Sequence, residues 1–103
     1  MLAAAQIEEY REKGWLLMPS VLDETEISVL NDAVETVTSH DGPEIARETS
    51  GAPHVVYGMH LLDDRLGMLV RHPALVTAVK EILGKDFFVH QSRVNVKQTN
   101  GSI

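Results

Sequence analysis

Apolar residues recur along this chain with helical spacing in some stretches and with strict alternation in others. Ala3, Ile7 and Tyr10 repeat once per turn up to Gly14, which predicts a first helix over roughly residues 3–13. The run Trp15-Leu16-Leu17-Met18, closed by Pro19, reads as a short buried strand. Asp23 with Glu26 three residues on is the reciprocal pair that satisfies the free amides at a helix start. Leu22 and Ile27 stand at the positions of a hydrophobic staple around it. From there Ile27, Leu30, Val34 and Val37 form one stripe, so a second helix is expected up to about Ser39.

Residues 41–53 carry Gly42, Pro43, Ser50, Gly51 and Pro53 among charges and read as a long surface loop of the kind that is often functional. His54-Val55-Val56-Tyr57 is a candidate strand, after which Asp63 or Asp64 caps a short helix through Val70. Pro73 suits a first helical turn, and Leu75, Val76, Val79, Ile82 and Leu83 then share one face until Gly84. The closing stretch, residues 86–97, alternates. Gln91, Arg93, Asn95 and Lys97 fall on one side, and Phe88, Val94 and Val96 on the other. The fold class is therefore α+β, with no internal repeat, low-complexity tract or linker.

Composition narrows the function. The 103 residues form one domain or a piece of one, short for an enzyme with an enclosed site. With 44% hydrophobic and 23% charged residues, disorder is not expected. Nine Lys and Arg against fifteen Asp and Glu give a formal charge of −6, and the basic residues are scattered, which argues against nucleic acid as a partner. There is no cysteine, so disulfides, thiolate nucleophiles and cysteine zinc sites are excluded. The opening Met1-Leu2-Ala3-Ala4-Ala5 is interrupted by Glu8, Glu9 and Arg11 too early for a leader, and no run is long enough to cross a bilayer. A cytoplasmic location is the expectation.

The candidate chemistry is sparse. His40, His54, His60, His72 and His90 lack the close His-any-Asp or one-turn His pair with which one element fixes a metal. Asp63, three residues after His60, is better explained as a cap, and the histidines read as structural. No serine sits in a glycine-flanked elbow, and no glycine-rich phosphate loop is present. Glu8, Glu9, Glu24 and Glu26 lie at helix starts or on exposed faces, where they complement the dipole. The closing strand admits two readings. Its polar face is either a wet surface or the wall of a pocket in which Lys97 meets a carboxylate and Gln91 and Arg93 hydrogen-bond a second ligand. Pattern alone favours the surface.

Several phrases carry a resemblance. These are Ile7-Glu8-Glu9-Tyr10-Arg11-Glu12-Lys13-Gly14-Trp15, Val21-Leu22 with Glu24 and Leu30, Val56-Tyr57-Gly58-Met59-His60, His72-Pro73-Ala74-Leu75 and Ile82-Leu83-Gly84-Lys85-Asp86. The most specific is His90-Gln91-Ser92-Arg93-Val94-Asn95-Val96-Lys97. Together they resemble the N-terminal part of the phytanoyl-CoA dioxygenase family, iron(II) and 2-oxoglutarate dependent oxygenases that include ectoine and free amino-acid hydroxylases. The resemblance covers residues 1–103.

It implies N-terminal helices and the first strands of a double-stranded β-helix, or jelly roll, incomplete in this chain. It also implies that Lys97 binds 2-oxoglutarate, that Gln91 lies in the substrate pocket, and that Arg93 and Asn95 support it. In the family an iron-binding His-any-Asp follows this strand, and a second histidine and an arginine come much later. With the chain ending at Ile103, the expectation is the front part of such an oxygenase, without metal ligands of its own and acting on a small molecule only when complete. A jelly roll takes about eight strands, and the sequence offers about three, so the remaining portion, a partner chain or self-association is expected to cover the terminal strand. The alternative is a non-catalytic α+β binding or interaction module of the same descent.

Overall fold

The structure is a computed structural model and describes residues 1–97. Its elements are α1 (Ala4–Lys13), α2 (Glu24–Thr38), β1 (Ile45–Arg47), β2 (Pro53–Tyr57), α3 (Met59–Leu62), α4 (Asp64–Leu69), α5 (Pro73–Leu83) and β3 (Arg93–Asn95). The three strands form one antiparallel sheet in the order β1-β2-β3, so the α+β class is observed.

The starts of α2, α4 and α5 follow the sequence closely, because each is set by local hydrogen bonding. Asp23 Oδ1 accepts the Glu26 N–H at 2.7 Å while Glu26 Oε1 accepts the Asp23 N–H at 3.0 Å. Asp63 caps α4 by accepting the Arg65 N–H at 2.8 Å, and the Arg65 guanidinium returns to the same carboxylate at 2.9 Å. Pro73 opens α5, whose cap is His72: its Nδ1 accepts the Ala74 N–H at 3.2 Å. Since Nδ1 accepts, the ring proton sits on Nε2 and is donated to Glu26 Oε2 at 2.7 Å. One carboxylate thus serves the starts of α2 and α5.

These contacts make stability depend on acid. Glu26 is held below the ordinary carboxylate range by the Asp23 amide and then by His72, and Asp63 by the Arg65 side chain. A lowered folded value means stability that is complete above the ordinary carboxylate range and lost as pH falls through the folded values. The thermal midpoint is expected to stay flat near neutrality and drop below about pH 4. Replacing Glu26 and Asp63 by Gln and Asn should flatten that acid limb, and an unchanged limb would refute the assignment.

The core lies between α2, the sheet and the α3–α4 turn. Ala33, Val37, Val56, Met59 and Leu66 are buried together, with Leu30, Ile45 and Val94 packed against them. The expected stripe on α2 is shifted: Ile27 is 46% exposed, whereas Ala33, absent from the stripe, is fully buried. The small side chain lets α2 approach its neighbours closely. At Gly67 of α4 an added Cβ would lie 3.0 Å from the His60 carbonyl oxygen. Gly67→Ala is therefore expected to destabilise by about 1 kcal/mol despite alanine's helix propensity. Urea denaturation would measure this, and a stabilised variant would contradict it.

Three expectations fail. Trp15-Leu16-Leu17-Met18 is not a strand: Trp15 and Leu17 are 57% and 74% exposed, and the extended segment has no ladder partner among the described residues. The segment 41–53 is not a continuous loop, because Ile45 and Ala46 pair with Val56 and Val55 before a register shift at Ala46/Arg47. Arg47 then closes the segment onto α2, its Nη2 donating to the Thr38 carbonyl at 2.7 Å, where a cation complements the helix dipole.

The third concerns the closing strand, which is regular only over Arg93–Asn95. The alternation changes phase within it. Phe87 and Val89 are half-buried and Phe88 is 83% exposed, then His90 and Gln91 are both exposed, and Ser92, Val94 and Val96 are half-buried. Phe88 therefore does not share a face with Val94 and Val96, since two consecutive outward residues break the two-residue period.

Candidate functional site

The site forms where β2 ends and β3 begins. Tyr57 pairs with Arg93 as the last rung of the ladder, and the Gly58 N–H donates to the Ser92 carbonyl at 2.8 Å just beyond it. Gly58 has φ +65, a left-handed conformation that turns the chain from β2 into α3. That turn lays His60 and Leu61 beside residues 90–93. The result is an open cleft of about 550 Å³ lined by Tyr57, His60, Leu61, His90, Gln91 and Arg93, with Gly58 and Ser92 in its wall.

A second cleft of about 480 Å³ lies against α5 and also includes His60. It is lined by Phe87, Phe88, Arg71 and Lys80, the last paired with Asp86 at 3.0 Å.

Of the residues singled out from sequence, the structure brings Gln91 and Arg93 together at the first cleft. Asn95 and Lys97 continue the same exposed side, Asn95 pairing with Val55, but neither lines these clefts. An extended chain advances about 3.4 Å per residue, so the face from Gln91 to Lys97 runs to roughly 20 Å. It is long enough for a cationic end at Lys97 and a polar end at Gln91 to contact different parts of a ligand set. All four side chains are exposed.

The histidines divide by role. His72 is a helix cap, as described. His60 bonds through Nδ1 to Ser92 Oγ, and its backbone N–H also points to that oxygen at 3.5 Å. His54 has a buried Nδ1 without a hydrogen-bond partner among the described residues, and its carbonyl accepts the Val96 N–H at 2.8 Å. His90 opens to the first cleft. Among the described residues no group of three His, Cys, Asp or Glu side chains converges as a metal site requires. No helix of the described residues is long and apolar enough to cross a membrane.

Sequence reasoning missed Tyr57, Ser92 and the cleft role of His60 and His90. The signal was present for all four, since Tyr57 and His60 share one phrase that bears the resemblance and His90 and Ser92 share another. What joins the two phrases is a long-range turn that neither one encodes alone.

No family model matches the chain. It is 36% identical over 102 residues to the ectoine dioxygenase of Bordetella bronchiseptica, a match covering 93% of this chain and 33% of that protein. It is 34% identical over 92 residues to the L-proline trans-4-hydroxylase of Streptomyces griseoviridis, covering 88% of this chain and 34% of the relative. With the ectoine dioxygenase of Streptomyces avermitilis the identity is 28% over 106 residues, 98% of this chain and 36% of the other. The chain spans about a third of the length of these curated relatives. They bear out the resemblance carried by the motifs.

Proposed function

We propose that residues 1–103 are the N-terminal segment of a cytoplasmic iron(II) and 2-oxoglutarate dependent dioxygenase that hydroxylates a small polar molecule of the amino-acid or ectoine kind. The observation that carries this reading is the exposed face of residues 91–97, which presents Gln91, Arg93, Asn95 and Lys97 in register, in a chain related to enzymes named for such substrates. On this reading the sheet is the start of a double-stranded β-helix. Its outer edge at β3, unpaired among the described residues, is where the next strands add.

The residues present fit the cosubstrate and not the metal. A dicarboxylate keto acid calls for cationic and amide donors, which Lys97, Arg93 and Asn95 supply. Lys97 holds one carboxylate, and Gln91 orients the substrate with Arg93 and Asn95 in support. The described residues offer no ligand set for iron. The metal then belongs to the part of the enzyme outside this segment, and the segment alone binds without turning over.

Calorimetric titration of the chain with 2-oxoglutarate tests the reading. Binding is expected, and Lys97→Ala should weaken it about tenfold, the worth of one charge-assisted hydrogen bond. Equal binding by both proteins removes Lys97 from the site, and absence of binding in both defeats the cosubstrate reading. The exposure of the whole polar face also favours a second reading, a non-catalytic module in which this face docks another chain. That reading gains if 2-oxoglutarate does not bind.

A further inference from the structure

We propose that Ser92 and His60 act as a positioning pair, a clasp that sets the phase of the closing strand and so aims Gln91 and Arg93 into the cleft. The starting point is the break in alternation. Up to Val89 the half-buried positions are odd-numbered, and from Ser92 on they are even-numbered. Ser92 is the first residue of the new phase. Val94 and Val96 turn inward for the ordinary reason that they are apolar, and Val94 packs on the core. A serine has no such drive. Without another cause, residue 92 could as well be exposed and send its two neighbours inward.

The cause is a set of bonds that converge on one residue. The Ser92 carbonyl accepts the Gly58 N–H at 2.8 Å, and Ser92 Oγ receives the His60 backbone N–H at 3.5 Å and bonds to His60 Nδ1. The hydroxyl and Nδ1 share one proton, the ring tautomer sets which of them donates it, and either arrangement ties the two side chains together. Backbone and side chain of Ser92 are thus both tied to the β2–α3 turn. A strand anchored inward at one position must present its neighbours outward, so Gln91 and Arg93 face the cleft together. At Gly67 the absence of a Cβ leaves room for the His60 carbonyl, which an added Cβ would approach to 3.0 Å.

The ligand consequence rests on the role proposed above for Gln91 and Arg93, whereas the phase consequence does not. Both can be read on the full chain. Ser92→Ala is expected to shift the side-chain amide resonances of Gln91 and the guanidinium resonances of Arg93 and to speed amide exchange at Gly58. Ser92→Thr, which keeps the hydroxyl, should restore all three. His60→Asn keeps an acceptor at the Nδ1 position and should behave as wild type. His60→Gln, which places its amide where Nε2 was, should not. If Ser92→Ala fails to fold, the two His60 variants decide the same question.

Unchanged Gln91 and Arg93 resonances in Ser92→Ala, or in His60→Gln, would overturn the clasp. Titration with 2-oxoglutarate, ectoine and L-proline adds the ligand readout. Whichever of these probes the wild-type chain binds through the cleft should bind about tenfold more weakly to Ser92→Ala and normally to Ser92→Thr. Absence of binding by wild type to all three defeats the proposed function, while the resonance and exchange results still decide the clasp.

Discussion

Leu66→Ala is expected to destabilise the chain by about 3 kcal/mol, within the range of roughly 2–5 kcal/mol found when a buried leucine is truncated. Leu66 is 2% exposed and sits in the only cluster of buried apolar side chains among the described residues, with Ala33, Val37, Val56 and Met59. The loss has two parts, the transfer free energy of the removed carbons and the cavity left behind. Relaxation is restricted because α4 is held at its start by the Asp63 side-chain cap and by the Gly67 N–H bond to the Asp63 carbonyl at 2.9 Å. A domain of this size is stable by only about 5–15 kcal/mol, so one side chain accounts for a large fraction. Urea denaturation followed by circular dichroism reads the effect. Leu61→Ala is the matched control, since Leu61 is 81% exposed and should change stability by no more than about 0.5 kcal/mol. Equal shifts in the two variants would show that Leu66 is not core.

How much of this molecule was legible in its sequence depends on the range over which each feature is determined. The starts of α2, α4 and α5 are fixed by residues two or three positions apart, and Asp23, Asp63 and Pro73 signalled all three. The Asp23–Glu26 box was read correctly, but not that Glu26 also reaches His72, 46 residues away. Spacing within a helix identified Val37 as core yet overlooked Ala33, because a small residue carries little hydrophobic weight and is buried only through what approaches it. β1 was hidden among Gly42, Pro43, Ser50 and Gly51. Two apolar residues, Ile45 and Ala46, are too few to show a period, and their strand character comes from pairing with β2.

The candidate site shows the same division. The alternation from Gln91 to Lys97 located the polar face, and burial in the structure follows it residue by residue. Extending that period back to Phe88 failed, since nothing local marks a phase change at His90 and Gln91. The mark is the bonding of Ser92 to Gly58 and His60, more than 30 positions earlier in the chain. Shape is also set at long range. The radius of gyration is 15.9 Å, against about 13 Å for a compact domain of this length, and α1 contributes no buried residue. Local rules thus describe the helices well and the surfaces between them poorly.

Ala33→Leu approaches the same core from the opposite direction and is expected to cost about 2–3 kcal/mol by overpacking. Ala33 is fully buried on the face of α2 that meets the cluster containing Leu66. Ala33 is fully enclosed, so to accept three added carbons either α2 shifts from α4 or neighbouring side chains leave their preferred rotamers. Movement of α2 would also disturb the Arg65–Thr36 bond of 3.3 Å that links it to α4. The two core variants are not independent, because one adds volume where the other removes it. The double variant Ala33→Leu, Leu66→Ala should therefore be less destabilised than the sum of the singles, with a coupling of about 1 kcal/mol or more. Strict additivity in denaturant titrations would mean that the two positions do not share space, and that the α2–α4 contact does not organise this core.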